Sequence, residues 1–250
     1  MSLSRRLLFA SAVWEVARPR TALTAGHLLI RLSNPAVAFD LRSAADWLVC
    51  YNAARQALTE VLGAGTCSVL FAHQWHPIGS AIGQPEVESS TPTFHLFGRW
   101  GGEAVSPGEQ LRLPAQRRMP LAPEVLTAYD AGLRTALGRS ALNHSAEVPP
   151  PESSTLPGVV SFSPRVKAGP HHTVLAPEPG GSGITPGGLL AVAAALQGLT
   201  GRRGVSGLSC VALDAASGGL VIHALGRAAG EPANPMERLL DLPEVSQALL

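Results

Sequence analysis

The chain has 250 residues, 46% of them hydrophobic and only 15% charged, so it holds enough apolar material for one large or two small domains, and wholesale disorder is excluded. A formal net charge of +1 provides no global basic field of the kind that attracts nucleic acid. With 26 glycines and 21 prolines the chain must turn often, and with aromatics at 5% its core must be mostly Ala, Leu and Val.

In chain order, Ser4-Arg5-Arg6-Leu7-Leu8-Phe9-Ala10 faintly echoes a twin-arginine signal. The apolar stretch breaks at Glu15 and no small-residue cleavage site follows, so export is not expected. Residues 11–18 and 26–32 read as strands, the second with Leu28, Ile30 and Leu32 alternating. Residues 43–62 read as a helix, with Leu48, Tyr51, Ala54, Leu58 and Val61 at helical spacing and Ser43 as N-cap. Strands are predicted at 66–73 and 92–100, separated by a long loop over 73–90, and a helix at 122–138 opens with Pro123. The Pro- and Ser-rich stretch 145–157 reads as a linker. After it come strands at 158–166 and 172–176, a helix at 186–200 between Thr185 and Gly201, strands at 207–213 and 219–226, and one or two short amphipathic helices in 235–250. No run of 18 apolar residues occurs, so no membrane partner is expected. The odd set Cys50, Cys67 and Cys210, without a C-x-x-C, reads as buried reduced thiols of a cytoplasmic protein.

The chain resembles itself. HLFGRWGGEAVSPGEQL at 95–111 and HALGRAAGEPANPMERL at 223–239 share 8 of 17 residues at a constant offset of 128, where chance would give about one. Upstream, Gly65-Thr66-Cys67-Ser68-Val69 matches Gly207-Leu208-Ser209-Cys210-Val211 at an offset of 142, and Ala25-Gly26 matches Ala168-Gly169. The change of offset, 142 − 128 = 14, places an insertion between Cys67 and His95 of the first copy. The division expected is 1–144 as a first unit with the inserted loop and extra helix, 145–157 as linker, and 158–250 as a second unit.

A β-β-α-β-β unit closing on a His-bearing strand that ends in Gly-Arg (His95, Gly98-Arg99; His223, Gly226-Arg227) resembles the histidine-triad superfamily. Two such units in one chain look like its galactose-1-phosphate uridylyltransferase branch, and Ala25-Gly26-His27-Leu28-Leu29 resembles the Gly-His-hydrophobic strand of the superfamily. The resemblance implies an α+β fold of two tandem units joined as an internal pseudo-dimer, with a nucleotide or other phosphate ester as ligand. It also marks a departure. The family's nucleophilic histidine falls on Thr93 and its first histidine on Thr91, while the last survives as His95; the second copy has Gly219, Val221 and His223. A threonine hydroxyl needs a base beside it to act as a nucleophile, so the covalent nucleotidyl-histidine route is expected to be lost.

The candidate chemistry collects in the first copy. His73 and His76, in His73-Gln74-Trp75-His76-Pro77 at the mouth of the loop, with His95 on the neighbouring strand, offer either a metal site or a general base with an acid partner. The plainer alternative is a loop histidine beside a relic of the fold. No cofactor is expected, zinc being the one metal these histidines leave open. Thr93 joins them as a candidate catalytic residue. Trp75 is placed to stack on a flat ligand. Glu86 and Glu88 lie two apart in the loop, and Lys167, His171 and His172 form a basic run suited to a phosphate or carboxylate. Arg99 is either a substrate contact or the ion-pair partner of Glu103, as Arg227 is of Glu231. The function expected is a repurposed small-molecule enzyme. Residual nucleotidyl transfer or phosphoester hydrolysis, and a non-catalytic binding or scaffold protein, are the alternatives. The chain is expected to be a monomeric pseudo-dimer or a homodimer.

Overall fold

The computed structural model describes residues 6–76, 81–87, 92–147, 158–178, 184–214, 219–231 and 233–250, with the backbone alone for 144–147. Its elements are β1 (Leu7–Ala10), β2 (Trp14–Ala17), β3 (His27–Leu32), α1 (Leu41–Leu62), β4 (Thr66–His73), β5 (Thr93–Arg99), α2 (Pro107–Leu111), a 3-10 turn (Ala115–Arg117) and α3 (Pro123–Glu147). They continue with β6 (Val159–Phe162), β7 (His172–Pro177), α4 (Pro186–Thr200), β8 (Gly207–Asp214), β9 (Leu220–Arg227), α5 (Pro235–Leu239) and α6 (Pro243–Leu249).

The nine strands form one sheet in the order β1-β2-β3-β5-β4-β8-β9-β7-β6, and every neighbouring pair is antiparallel. It is therefore a mixed α/β fold around a large antiparallel sheet. Strand alternation sorts the side chains. Leu28, Cys67, Val69, Leu96, Cys210 and Ala212 join one core with α1, α3 and α4. Leu70, Phe97, Val211 and Leu225 join a second core with α5 and α6 on the opposite face. Residues 81–87 belong to that second face: Gly83 N–H donates to Leu111 O, Asn234 donates to Ile82 O, and Gln84 is buried against Ser209.

Several predicted boundaries move, each for a local reason. The N-cap of α1 is Asp40, not Ser43: Asp40 Oδ1 accepts the Ser43 N–H while Ser43 Oγ accepts the Asp40 N–H, both at 2.8 Å, a reciprocal box that uses both residues. The helix predicted to stop at residue 138 runs on to Glu147, taking in the start of the expected linker, whose remainder, 148–157, lies outside the described residues. The strand predicted over 158–166 ends at Phe162, one residue before Ser163-Pro164, since proline cannot donate to a ladder. β1 occupies the stretch that echoes a signal.

The internal likeness is also re-registered. Leu70 lies opposite His95 in β4–β5, and Val211 lies opposite His223 in β8–β9. With His95 matched to His223, Leu70 corresponds to Val211, a shift of 141 and not 142 (211 − 70 = 141). In the same way His27 lies opposite Phe97 and His172 opposite Leu225, so His27 corresponds to His172 at a shift of 145 (172 − 27), and Ala25-Gly26 does not match Ala168-Gly169. Thr185 does cap α4, accepting the Gly188 N–H at 3.0 Å.

Candidate ligand-binding site

Two buried histidine pairs stand at corresponding places in the sheet. His27 and His95 share a face because β3 pairs His27 with Phe97 and Leu29 with His95. His27 Nε2 and His95 Nδ1 are 3.0 Å apart, and the His27 ring stacks on Phe97 at 4.1 Å. The Leu23 N–H donates to His27 Nδ1 at 3.2 Å. A backbone N–H can only donate, so Nδ1 of His27 is the acceptor, its proton sits on Nε2, and that proton is given to His95 Nδ1. His95 then carries its own proton on Nε2. The pattern recurs across β7 and β9: Ala168 N–H to His172 Nδ1 at 3.1 Å, then His172 Nε2 to His223 Nδ1 at 3.2 Å. Beyond it, His223 Nε2 lies 4.0 Å from Glu244 Oε1. Burial disfavours the imidazolium in all four. It brings His95 down to about 3 and, with the neighbouring His223, His172 down to about 4; His27 and His223 are also lowered. At neutral pH all four rings are uncharged.

A cavity of about 550 Å³ has walls from α1, α4, β4, β5, β8 and β9. Trp14, Trp47, Phe71 and Phe94 make its aromatic side, with Phe94 in contact with the other three at ring-centroid distances of 5.2–5.8 Å. Aliphatic residues of α4 and β9, such as Leu196 and Ile222, lie opposite. His73, Gln74, Trp75 and His76, where the chain leaves β4, line it as well, and so do Thr93 and His95. No Lys, Arg, Asp or Glu is among the described residues of the lining. The indole N–H groups differ: Trp14 Nε1 donates to Ser43 O at 2.8 Å, whereas the buried Nε1 atoms of Trp47 and Trp75 have no partner among the described residues.

Five of the residues singled out from sequence, His73, Trp75, His76, Thr93 and His95, thus border one cavity. They do not converge as a histidine cluster. Leu70 lies opposite His95 across β4–β5, and His73 is three residues from Leu70, so His73 projects from the other face of the sheet, where its Nε2 is 3.3 Å from Gln197 Oε1 of α4. Among the described residues no three His, Cys, Asp or Glu side chains are grouped to hold a metal ion. Trp75 is half-buried beneath the Arg227 guanidinium, 5.0 Å from its ring centroid. Glu86 is exposed and accepts from Thr21 Oγ1 at 2.6 Å, and Glu88 lies outside the described residues. Arg99 pairs with Glu103 and Arg227 with Glu231, the ion pairs that the sequence left open as an alternative. Lys167 is exposed, His171 is half-buried, and neither borders the cavity. His172 is buried in its pair with His223 and uncharged, so the predicted basic run is not a cluster of three cations. The thiols are buried, and desolvation pushes Cys50 and Cys67 up to about 12. Sequence reasoning missed His27 and Trp47 as site residues; the signal for His27 was its place after Ala25-Gly26.

No family model matches the chain, and no curated protein matches it. A solved structure, described as a Hit-like protein involved in cell-cycle regulation from Bartonella henselae with an unknown ligand, is similar at 13% identity and a TM-score of 0.33, covering 52% of this chain and 85% of that one. Among the described residues no helix is long and apolar enough to cross a membrane.

Proposed function

We propose that the chain is a tandem of two divergent histidine-triad-like units, joined as an internal pseudo-dimer, that binds an uncharged, largely apolar small molecule and has left nucleotidyl transfer behind. Three regularities support the tandem. The amide–His–His relay occurs in both halves. So does the bond that closes the end of the β3–β5 and β7–β9 ladders, Gly98 N–H to Gly26 O at 3.1 Å and Gly226 N–H to His171 O at 3.0 Å. At the β4–β8 junction Leu70 pairs with Val211, its own counterpart, and the flanking pairs Ser68–Leu213 and Ala72–Ser209 exchange places under the same shift of 141. That is the self-complementary register a two-fold interface requires.

The observation that carries the ligand class is the charge of the cavity. A nucleotide or sugar phosphate would bring its anion against a lining with no Lys or Arg among the described residues. An anion taken from water into such surroundings without a partner is strongly disfavoured. A cavity of this size with mostly apolar walls and a few polar groups instead suits a neutral ligand. His95 is held neutral with its Nδ1 lone pair engaged, so it serves as a fixed N–H donor and not as a base. Any proton transfer in the cavity falls to His73 and His76.

The test is a thermal-shift comparison of AMP, glucose 1-phosphate, 2-acetylnaphthalene and 2-naphthoate on the full chain. At a hundredfold excess over Kd a ligand stabilises by about 2.7 kcal/mol, a rise of several degrees for a chain of this size. The neutral naphthalene is expected to raise the melting temperature, and the three anions to leave it unchanged. A rise with AMP that disappears in His95→Ala would overturn the reading in favour of the ancestral phosphate ester.

A further inference from the structure

The two halves of the molecule are finished differently at their outer sides. β7 corresponds to β3 at a shift of 145, and Ser161 lies opposite Leu175 as Val16 lies opposite Ile30 (175 − 30 = 145), so β6 is the counterpart of β2. In the first half β1 pairs with the outer edge of β2, and α3 packs on both β1 and α1. In the second half β6 is itself the end of the sheet. There α4, the counterpart of α1 in element order, packs on α1 and on β6, and among the described residues it has no counterpart of α3. Burial follows the same division. Three of the four residues of β2 are buried, whereas Val160, Ser161 and Phe162 of β6 are all exposed. Half the residues of α1 are buried, but in α4 only Leu196 and Leu199. What is left bare is apolar and uncharged. Val160 is 40% and Phe162 47% exposed, and α4, from Pro186 to Thr200, contains no charged residue. Ala194, Gln197 and Gly198 are exposed on it at helical spacing.

An apolar edge strand is a template for pairing with another chain, and folds commonly block one with charge, proline, a bulge or a covering element. The opposite edge of this sheet is blocked in that way: the register of β1 shifts between Leu7 and Phe9, α3 packs on it, and Leu7 O accepts from Arg134 Nε at 3.3 Å. We infer that the bare side of the second half is the contact between two copies of the chain, related by a two-fold axis that sets β6 antiparallel to its own copy and α4 beside its own copy. The molecule already contains one junction of this kind. At its midline β4 runs antiparallel to β8, and α1 packs against α4 across it. An uncharged surface meets its copy without the repulsion that a surface of one sign would bring. A two-fold contact uses the same surface of both copies and closes on itself. The joined sheet has a blocked β1 at each end, so association stops at two.

The test is the oligomeric state of the full chain, by sedimentation equilibrium over a concentration series into the submillimolar range. A monomer–dimer equilibrium that goes no further is expected. Ala194→Arg sets a cation on the bare face of α4, at an exposed position where arginine is a good helix former. Because a two-fold contact takes up that charge twice without a partner, the dissociation constant should rise at least about tenfold. Ala131→Arg, on the exposed side of α3, should leave it unchanged. Hydrogen exchange of the native protein provides a readout that needs no substitution: the amides of residues 159–162 should exchange more slowly as the concentration rises. A chain that stays monomeric throughout overturns the inference, whether those amides exchange freely or are protected at every concentration by a segment of the same chain. So does a dimer that Ala194→Arg leaves as tight, with β6 exchange independent of concentration, since its contact then lies elsewhere.

Discussion

A histidine that accepts a backbone N–H at Nδ1 has its tautomer chosen by the main chain, and His27 and His172 pass that choice on to His95 and His223. The sheet thereby buries four imidazoles in their neutral form, which ties stability to pH. The folded pKa values lie below the ordinary value of 6.5, about 3 for His95 and about 4 for His172. Above pH 6.5 neither folded nor unfolded rings bind protons, and the stability is fully present. As pH falls below 6.5 the unfolded rings take up protons that the folded ones refuse, so stability is lost until the folded pKa is reached. Each such histidine costs about 1.4 kcal/mol per pH unit in that window. Urea unfolding at pH 7.5 and 5.5 should therefore show a loss of a few kcal/mol, and His95→Gln should remove its share of the pH dependence. A variant as pH-sensitive as the native chain would mean that His95 is not held neutral. At this scale the sequence was half legible. His95 and His223 stand out because the similar segments 95–111 and 223–239 both begin on them. That His73 faces away from His95 depends on which residue lies across β4–β5, and pairing register is a property of two strands that neither one states alone.

Elements were more legible than their registers. The periodicities of 2 and 3.6 located nearly all the long strands and helices, since each buries one face and needs apolar residues on it. The internal match slipped by one residue at β4 and β8, because Gly65-Thr66-Cys67-Ser68-Val69 and Gly207-Leu208-Ser209-Cys210-Val211 look most alike at 142. That alignment sets Cys67, which faces the helices, against Ser209, which faces away, and a slip of one exchanges faces. The glycines flanking these strands also differ in their work. A Cβ on Gly65 meets nothing within 4 Å, whereas one on Gly207 would strike Gln74 O and the Trp75 side chain, where the chain leaves β4 toward the cavity. Gly207→Ala should cost about 1–3 kcal/mol by overpacking, displace Trp75 and change its fluorescence. Gly65→Ala should melt within a degree or two of the native protein. Equal behaviour of the two variants would mean that residues 74–75 do not pack on β8.

The whole molecule is held across its midline by more than strand pairing. Asp214, at the end of β8, accepts from Arg55 Nη2 at 2.8 Å, from Tyr51 OH at 3.3 Å and from the Cys67 N–H at 3.2 Å, all in the first half of the chain. The C-terminal segment reaches back in the same way. Arg112 bonds Asp241 at 2.7 Å and Leu240 O at 3.0 Å, and Asn234 bonds Ile82 O at 2.8 Å. A sequence cut into 1–144 and 158–250 hides this, because partners more than a hundred residues apart leave no periodic trace. Two units linked only by a tether would melt separately, whereas two units sharing a sheet and these cross-links should melt as one, since neither can lose its half without exposing the other's core. Calorimetry should then give a single transition with equal calorimetric and van't Hoff enthalpies. Asp214→Ala, which leaves Arg55 and the Cys67 N–H without that acceptor, should lower it by about 1–3 kcal/mol without splitting it. A variant that melts in two steps, one of them unchanged from the native protein, would show that β4 and β8 join two independently stable bodies, and that the cavity between their helices opens before either of them unfolds.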